Sequence, residues 1–345
     1  FDNVTNYTGV FIFQKIDVIE SYKFKYHRYS LPTKNISYQE FSNSLRDDNN
    51  SEYKEFIWVN SISLDKERWC FKSPTIEKLL DKIRRNAAEL GNISIAIFQG
   101  IASGKDHVFY INEETIKKNG LEETIIYPLL KGKDVKAYNI EWSGTYVLYP
   151  YDMDSKVIEE NELRVKYPNV YKYFTESKNL LSGRSYFDKS NKQWYELWNQ
   201  RKIKNFFKRR IVVPEISNKN NFALTDKFFG NTKTYHILLK DKRLTNYLFI
   251  LGLLNSKLIN YFYTQLSPPH AGGFYAYKTQ FLVNIPIRFG SESMQCEISK
   301  EVGYILNTHS REEKNEHIRK IDHMIYDLYD TTEEEIAIIE ESIGR

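Results

Sequence analysis

Cysteine is nearly absent: the 345 residues hold two, Cys70 and Cys296, with no Cys-x-x-Cys and no paired histidines. That argues against a disulfide framework and a structural zinc site, and makes the cytoplasm the default compartment. Long apolar runs are missing too, since no stretch of about 18 residues is apolar enough to cross a membrane. The opening Phe1-Asp2-Asn3-Val4 has neither an initiator Met nor the pattern of a signal peptide, so the sequence reads as an internal stretch of a longer chain. A Walker nucleotide loop is lacking as well. Gln99-Gly100-Ile101-Ala102-Ser103-Gly104-Lys105 has two glycines only four positions apart, which is not the Gly-x-x-x-x-Gly-Lys-(Ser/Thr) spacing. This leaves a hairpin turn, or a loop whose amides and Lys105 touch a phosphate backbone.

What is present is a globular composition, 41% hydrophobic and 27% charged, with 26 Tyr and 21 Phe. The net charge of +4 hides a division. Residues 295–345 carry 6 basic and 13 acidic side chains, and residues 1–294 carry 43 basic against 32 acidic, a net of +11. The basic part suits a polyanion and the acidic tail does not.

Hydrophobic periodicity predicts a mixed α/β fold: a strand-rich domain over 66–294 with flanking helices, then a helical unit over 295–345. A strand is expected within 4–18, a polar loop over 33–54, and a helix opening at Ser73-Pro74-Thr75 and closing at Gly91. Strands follow in a strand–turn–strand unit over 93–111, at Thr145–Tyr149 and at Arg210–Ile216. Leu244–Tyr263 reads as one buried helix, and Thr332-Glu333-Glu334-Glu335 as the capping box of a last helix.

Most candidate chemistry is weak. Ser267-Pro268-Pro269-His270 resembles the motif with which amino-directed DNA methyltransferases hold a flipped base, but His270 replaces the aromatic and no glycine-rich cofactor turn precedes it. A plain Ser-Pro-Pro turn is the simpler reading. Asp134-Val135-Lys136 offers the Asp-x-Lys half of a nuclease metal site, with Glu215 as a distant second carboxylate. His309, His317 and His323 fall in the acidic tail as solvated or packed residues. Lys178–Arg210 stands apart, with ten basic residues against Asp188 and Glu196 and with Tyr186, Phe187, Trp194, Tyr195, Trp198, Phe206 and Phe207 interleaved. Clustered cations with few carboxylates are the footprint of nucleic-acid binding, and aromatics can stack or wedge.

Several segments taken in order carry a resemblance. They are Trp69, Gln99–Phe109, Leu130-Lys131-Gly132-Lys133-Asp134-Val135-Lys136, Leu181-Ser182-Gly183-Arg184, Trp194-Tyr195-Glu196-Leu197, Arg210–Ser217, Leu251–Leu258 and Ile321–Tyr329. Across most of 55–343 this run resembles the TaqI-like C-terminal specificity domain of Eco57I-type restriction–modification methylases. The resemblance implies duplex DNA recognition and no catalysis in this chain. The partner it implies is an N-terminal domain that binds S-adenosylmethionine and methylates adenine N6, with residues 1–65 as that domain's tail and a linker. No metal, cofactor or membrane is expected for the chain itself.

The candidate DNA-facing residues are Ser103, Gly104 and Lys105 on one loop, and Arg184, Tyr186, Lys192, Trp194, Tyr195, Arg201, Lys204 and Lys208 on a second. His270, Gly272 and Gly273 form a third group. Arg184 is expected to read a base edge, and Lys204, Lys208 and Arg209 to touch phosphates. The alternatives are a metal-dependent nuclease fragment using Asp134 and Lys136, and a protein-interaction module docking through the acidic helices.

Overall fold

The computed structural model describes residues 23–29, 37, 39, 42–43, 54–60, 72–185, 187 and 190–344. The strand expected within 4–18, most of the 33–54 loop and Trp69 lie outside the described residues. Two compact units divide the chain, one within Tyr7–Arg85 and one spanning Asn86–Arg345.

In the first unit β1 (Lys23–Tyr29) pairs antiparallel with β2 (Lys54–Asn60). Alternation puts Ile57 and Val59 inside and leaves Trp58 outside, under the Lys25 ammonium. Helix α1 (Pro74–Arg84) starts where Ser73 Oγ accepts the Ile76 N–H at 3.3 Å, and it buries Leu79, Leu80 and Ile83. It ends at Arg84, short of the Gly91 stop read from the sequence. Asn86 takes a left-handed φ of 58°, and beyond it the Leu90 N–H donates to Ile285 O at 2.8 Å and that of Gly91 to Val283 O at 2.9 Å. Pairing with 283–287 thus replaces the helical hydrogen bonds that the apolar spacing led one to expect.

The second unit is built on a four-stranded antiparallel sheet. Its strands are β3 (Ser94–Gln99), β7 (Arg210–Pro214), β9 (Ala223–Thr225) and β11 (Thr234–Leu239), in the order β9-β7-β11-β3. Every residue of β7 and β11 is buried, as expected of strands covered on both faces. A second sheet has the order β10-β5-β6-β4, from β4 (Tyr110–Ile111), β5 (Ile126–Leu130), β6 (Tyr146–Leu148) and β10 (Phe229–Gly230). The two halves of the expected unit over 93–111 therefore belong to different sheets, and Val108 and Phe109 lie in a short helical turn between them. The stretch 210–216 also divides, because β8 (Ile216–Ser217) leaves β7 to join β13 (Phe274–Ala276) and β12 (Pro269–His270) in a third sheet.

Leu244–Tyr263 is two helices, α3 (Leu244–Asn255) and α4 (Lys257–Leu266). Ser256 between them is extended and caps α4, its Oγ accepting the Ile259 N–H at 3.3 Å. Helices α5 (Glu292–Asn307), α6 (Arg311–Leu328) and α7 (Glu333–Gly344) follow, with α5 packed on α3 and α7 on α4. The Thr332 capping box forms as read: the Thr332 N–H donates to Glu335 Oε2 at 2.9 Å, and the Glu335 N–H to Thr332 Oγ1 at 3.3 Å.

Candidate nucleic-acid interface

The 100–106 loop leaves β3 where two backbones nearly touch. A Cβ on Gly100 would lie 2.2 Å from Asn231 O, so only glycine lets the chain turn there. The Ile101 N–H then donates to Gly230 O at 2.7 Å and the Ile101 side chain is buried. Ser103 turns inward, its Oγ donating to Asp106 Oδ1 and accepting the Lys105 N–H at 3.2 Å. Gly104 has a φ of 77°, and the turn leaves Lys105 half-exposed and His107 exposed.

The second loop follows α2 (Lys178–Ser182). Arg184 is only 2% exposed, which differs from the expectation of a base-reading side chain. Its guanidinium is occupied by carbonyls: Nε donates to Leu181 O at 2.7 Å, Nη1 to Glu196 O at 2.9 Å and Ser103 O at 3.2 Å, and Nη2 to Trp194 O at 2.7 Å. Its carbon centre lies 3.6 Å from the Phe187 ring centroid. Tyr195 is buried and donates to Ile158 O at 2.7 Å, and Trp194 is half-buried with its indole N–H on Glu160 Oε1 at 3.2 Å. Lys192 folds back on Leu197 O at 3.2 Å, Gln200 Oε1 at 3.3 Å and Glu196 Oε2 at 3.4 Å. Tyr186 lies outside the described residues, as do Asp188 and Lys189.

These two loops meet. Ala102 and Asn199 exchange backbone hydrogen bonds of 3.0 and 2.9 Å, and the Trp198 N–H donates to Ser103 O at 3.2 Å. Trp198 is 41% exposed beside this junction. Like Phe187, Phe206 and Phe207 of the same aromatic run, it is not among the candidate DNA-facing residues, because no periodicity marks which ring faces out.

The remaining cations of the run divide by burial. Arg201 is half-buried, with Nε on Gln99 O at 2.7 Å, and burial lowers its pKa. Lys204 and Lys208 are exposed, and Lys204 pairs with Asp154 at 2.7 Å. Arg210 is fully buried on β7, donating to Phe206 O at 2.5 Å, Lys208 O at 3.0 Å, Phe228 O, and His236 Nδ1 at 3.2 Å. Burial, reinforced by Arg210 and Arg201, holds His236 well below the usual imidazole range. The ring is therefore neutral. It accepts at Nδ1 and carries its proton on Nε2, which faces Thr234 Oγ1 at 3.1 Å.

His270, Gly272 and Gly273 form the exposed tip of the β12–β13 hairpin, with glycine φ values of 78° and 73°. Phe274 beside them is 41% exposed. Ser267 closes the base of the hairpin: it is buried, its Oγ donates to Ala276 O at 3.1 Å and accepts the Ala276 N–H at 3.2 Å. Ser267 and Pro268 thus lead the chain from α4 into β12, with the Ser267 hydroxyl occupied by the Ala276 backbone. Asp134 is similarly occupied, its carboxylate accepting the Lys131 N–H at 2.8 Å in its own turn, while Glu215 pairs with Lys233 at 2.8 Å. Among the described residues no three His, Cys, Asp or Glu side chains gather as metal ligands.

Comparison with known proteins gives this geometry a context. Residues 127–287 match the model of the TaqI-like C-terminal specificity domain, a narrower span than the 55–343 of the sequence resemblance. The Type II methyltransferase M.MjaIV of Methanocaldococcus jannaschii is 28% identical over 278 residues, which are 78% of this chain and 88% of that protein. The Type II methyltransferase M.BstVI of Geobacillus stearothermophilus is 21% identical over 247 residues, 71% of this chain but 42% of that protein. The solved structure of the Type IIL restriction-modification enzyme MmeI in complex with DNA shares the fold, with a TM-score of 0.53 at 15% identity over 74% of this chain and 36% of MmeI. The chain thus spans under half of M.BstVI and of MmeI. The matched segment, which holds the second loop with its buried Arg184 and the hairpin at 269–276, is similar to the TaqI-like C-terminal specificity domain.

Proposed function

We propose that the chain reads duplex DNA as the specificity part of a restriction–modification adenine-N6 methyltransferase, whose S-adenosylmethionine-binding domain is a separate partner. The observation that carries this reading is the junction of the 100–106 and 184–201 loops, a fixed edge with Lys105 and Trp198 toward solvent, in a stretch with a net charge of +11 over residues 1–294. Long cations suit phosphates and an exposed indole suits stacking or wedging. Ser103, Gly104 and Lys105 form one lip of the edge, Lys192, Trp194 and Tyr195 support the other, and Lys204 and Lys208 are phosphate contacts farther along the chain. The hairpin tip His270–Gly273 is a third contact, since its glycines allow close backbone approach. Nothing favours the nuclease or docking-module readings.

The test is a titration of a labelled duplex with the chain at several salt concentrations, read by fluorescence anisotropy. Neutralising ~4–6 phosphates gives a log–log slope of about −4 to −5. A flat salt response overturns the reading.

A further inference from the structure

We infer that Arg184 is a positioning residue for duplex recognition, the buried clamp that sets the 102–105 segment against 194–199 so that the edge exists before DNA arrives. The inference rests on the proposed function and gives that edge its mechanism. Four carbonyls from three places in the chain converge on one guanidinium: Leu181, Ser103, Trp194 and Glu196. The backbone contacts joining the loops are few, the Ala102–Asn199 pair and the Trp198 N–H on Ser103 O. Ser103 O accepts from both Trp198 N and Arg184 Nη1, so the clamp acts at the carbonyl that positions the exposed indole.

Removing the guanidinium leaves buried carbonyls with lost partners, and the loops then relax toward water. Lysine cannot replace it. A single ammonium offers three donors at one point, whereas these carbonyls are spread along a planar fork. An edge that must be ordered during binding binds more weakly than one already formed.

The test uses the full chain and a labelled duplex pool with a randomised centre, comparing wild type with Arg184→Ala and Arg184→Lys. Amide exchange at Ala102, Trp198 and Asn199 should quicken in both variants, while Val212 and Ile237 in the central sheet keep their protection. Affinity should fall about 10- to 100-fold, the scale of a small misplacement at a recognition site. The salt slope should not change, because the lost cation faces carbonyls and no phosphate. Ethylguanidinium at constant ionic strength should restore binding to Arg184→Ala, a rescue that general destabilisation does not give. If one variant fails to fold, the other carries the test.

A salt slope reduced by about 0.9 would make Arg184 a direct phosphate contact and overturn the inference. Unchanged exchange at Ala102 and Asn199, or unchanged affinity, overturns it as well. If the wild type binds no duplex but exchange still responds, the proposed function falls and the clamp stands.

Discussion

Arg210 and Arg184 do the same chemistry in two regions. Each is a buried guanidinium satisfied by backbone carbonyls, and among the described residues Arg210 bonds no carboxylate. Arg210 lies on β7 in the central sheet, between Phe206, Lys208 and Phe228 carbonyls and neutral His236. Arg184 lies on a loop, between carbonyls that belong to an edge facing solvent. A planar cation with five donors can replace a stretch of sheet wherever carbonyls outnumber amides. In the core that device fixes the fold, and at the loop junction it fixes a surface.

The largest expected effect breaks the comparison at its core end. Arg210→Met fills similar volume but leaves the Phe206, Lys208 and Phe228 carbonyls and His236 Nδ1 without their donor. The expected loss is about 3–5 kcal/mol, as for other broken buried networks, read as a lower urea midpoint. Arg184→Ala should cost visibly less, since its loop can open to water without disturbing β7 or β11. Equal losses for the two would mean that Arg184 is as much a core residue as Arg210.

Asp322 on α6 sharpens the contrast, because it is a buried charge with incomplete partners. Oδ1 accepts the Lys257 N–H at 2.9 Å, but among the described residues Oδ2 and the Tyr138 hydroxyl have no hydrogen-bond partner. Burial pushes its pKa up to about 6, helped by Glu340 and opposed by the Lys257 amide and charge and by His323. A carboxyl with a raised folded pKa binds its proton more tightly in the native state. Stability contributed by this group therefore falls as pH rises from about 4 to 6 and is level above, by at most about 3 kcal/mol. Asp322→Asn keeps an acceptor for Lys257 and should flatten that window. Urea midpoints across the range decide it, and a variant with unchanged slope would place the titration elsewhere.

The capped helices were legible because their signals are local. Ser73 before Pro74 and Thr332 with Glu335 work within three residues, and both caps form. Ser256 was equally local, yet the apolar run around it masked a cap that divides the helix in two. The mixed α/β fold followed from periodicity. The pairing of 94–99 and 110–111 with different sheets did not, because adjacency in sequence carries no register. Arg184 shows the limit at the site. Its partners at Ser103 and Glu196 are 81 and 12 residues away, so nothing near Ser182-Gly183 tells a groove-reading arginine from one enclosed by carbonyls. Composition marked the basic, aromatic segment, and only packing sorted its side chains into clamps, core and surface.

At the exposed end of the series lies Lys204, whose ammonium pairs with Asp154 at 2.7 Å where both side chains are more than half exposed. Such a pair adds little to stability, so Lys204→Ala should leave thermal melting unchanged. Its value, if it touches a phosphate, is in binding: the substitution should weaken all duplexes alike and reduce the salt slope by about one. Asp154 makes the test two-sided. On the free protein its carboxylate competes with DNA for the same ammonium and repels the backbone. Asp154→Asn should therefore tighten duplex binding while melting stays put, and combining it with Lys204→Ala should remove most of that gain. The readout is the anisotropy titration repeated across salt concentrations for the two single variants and the double variant. If Asp154→Asn tightens binding equally with and without Lys204, the carboxylate acts by general repulsion and Lys204 is a solvated cation. If Lys204→Ala weakens binding with an unchanged salt slope, as expected of Arg184→Ala, the division between clamp and phosphate contact fails at this residue.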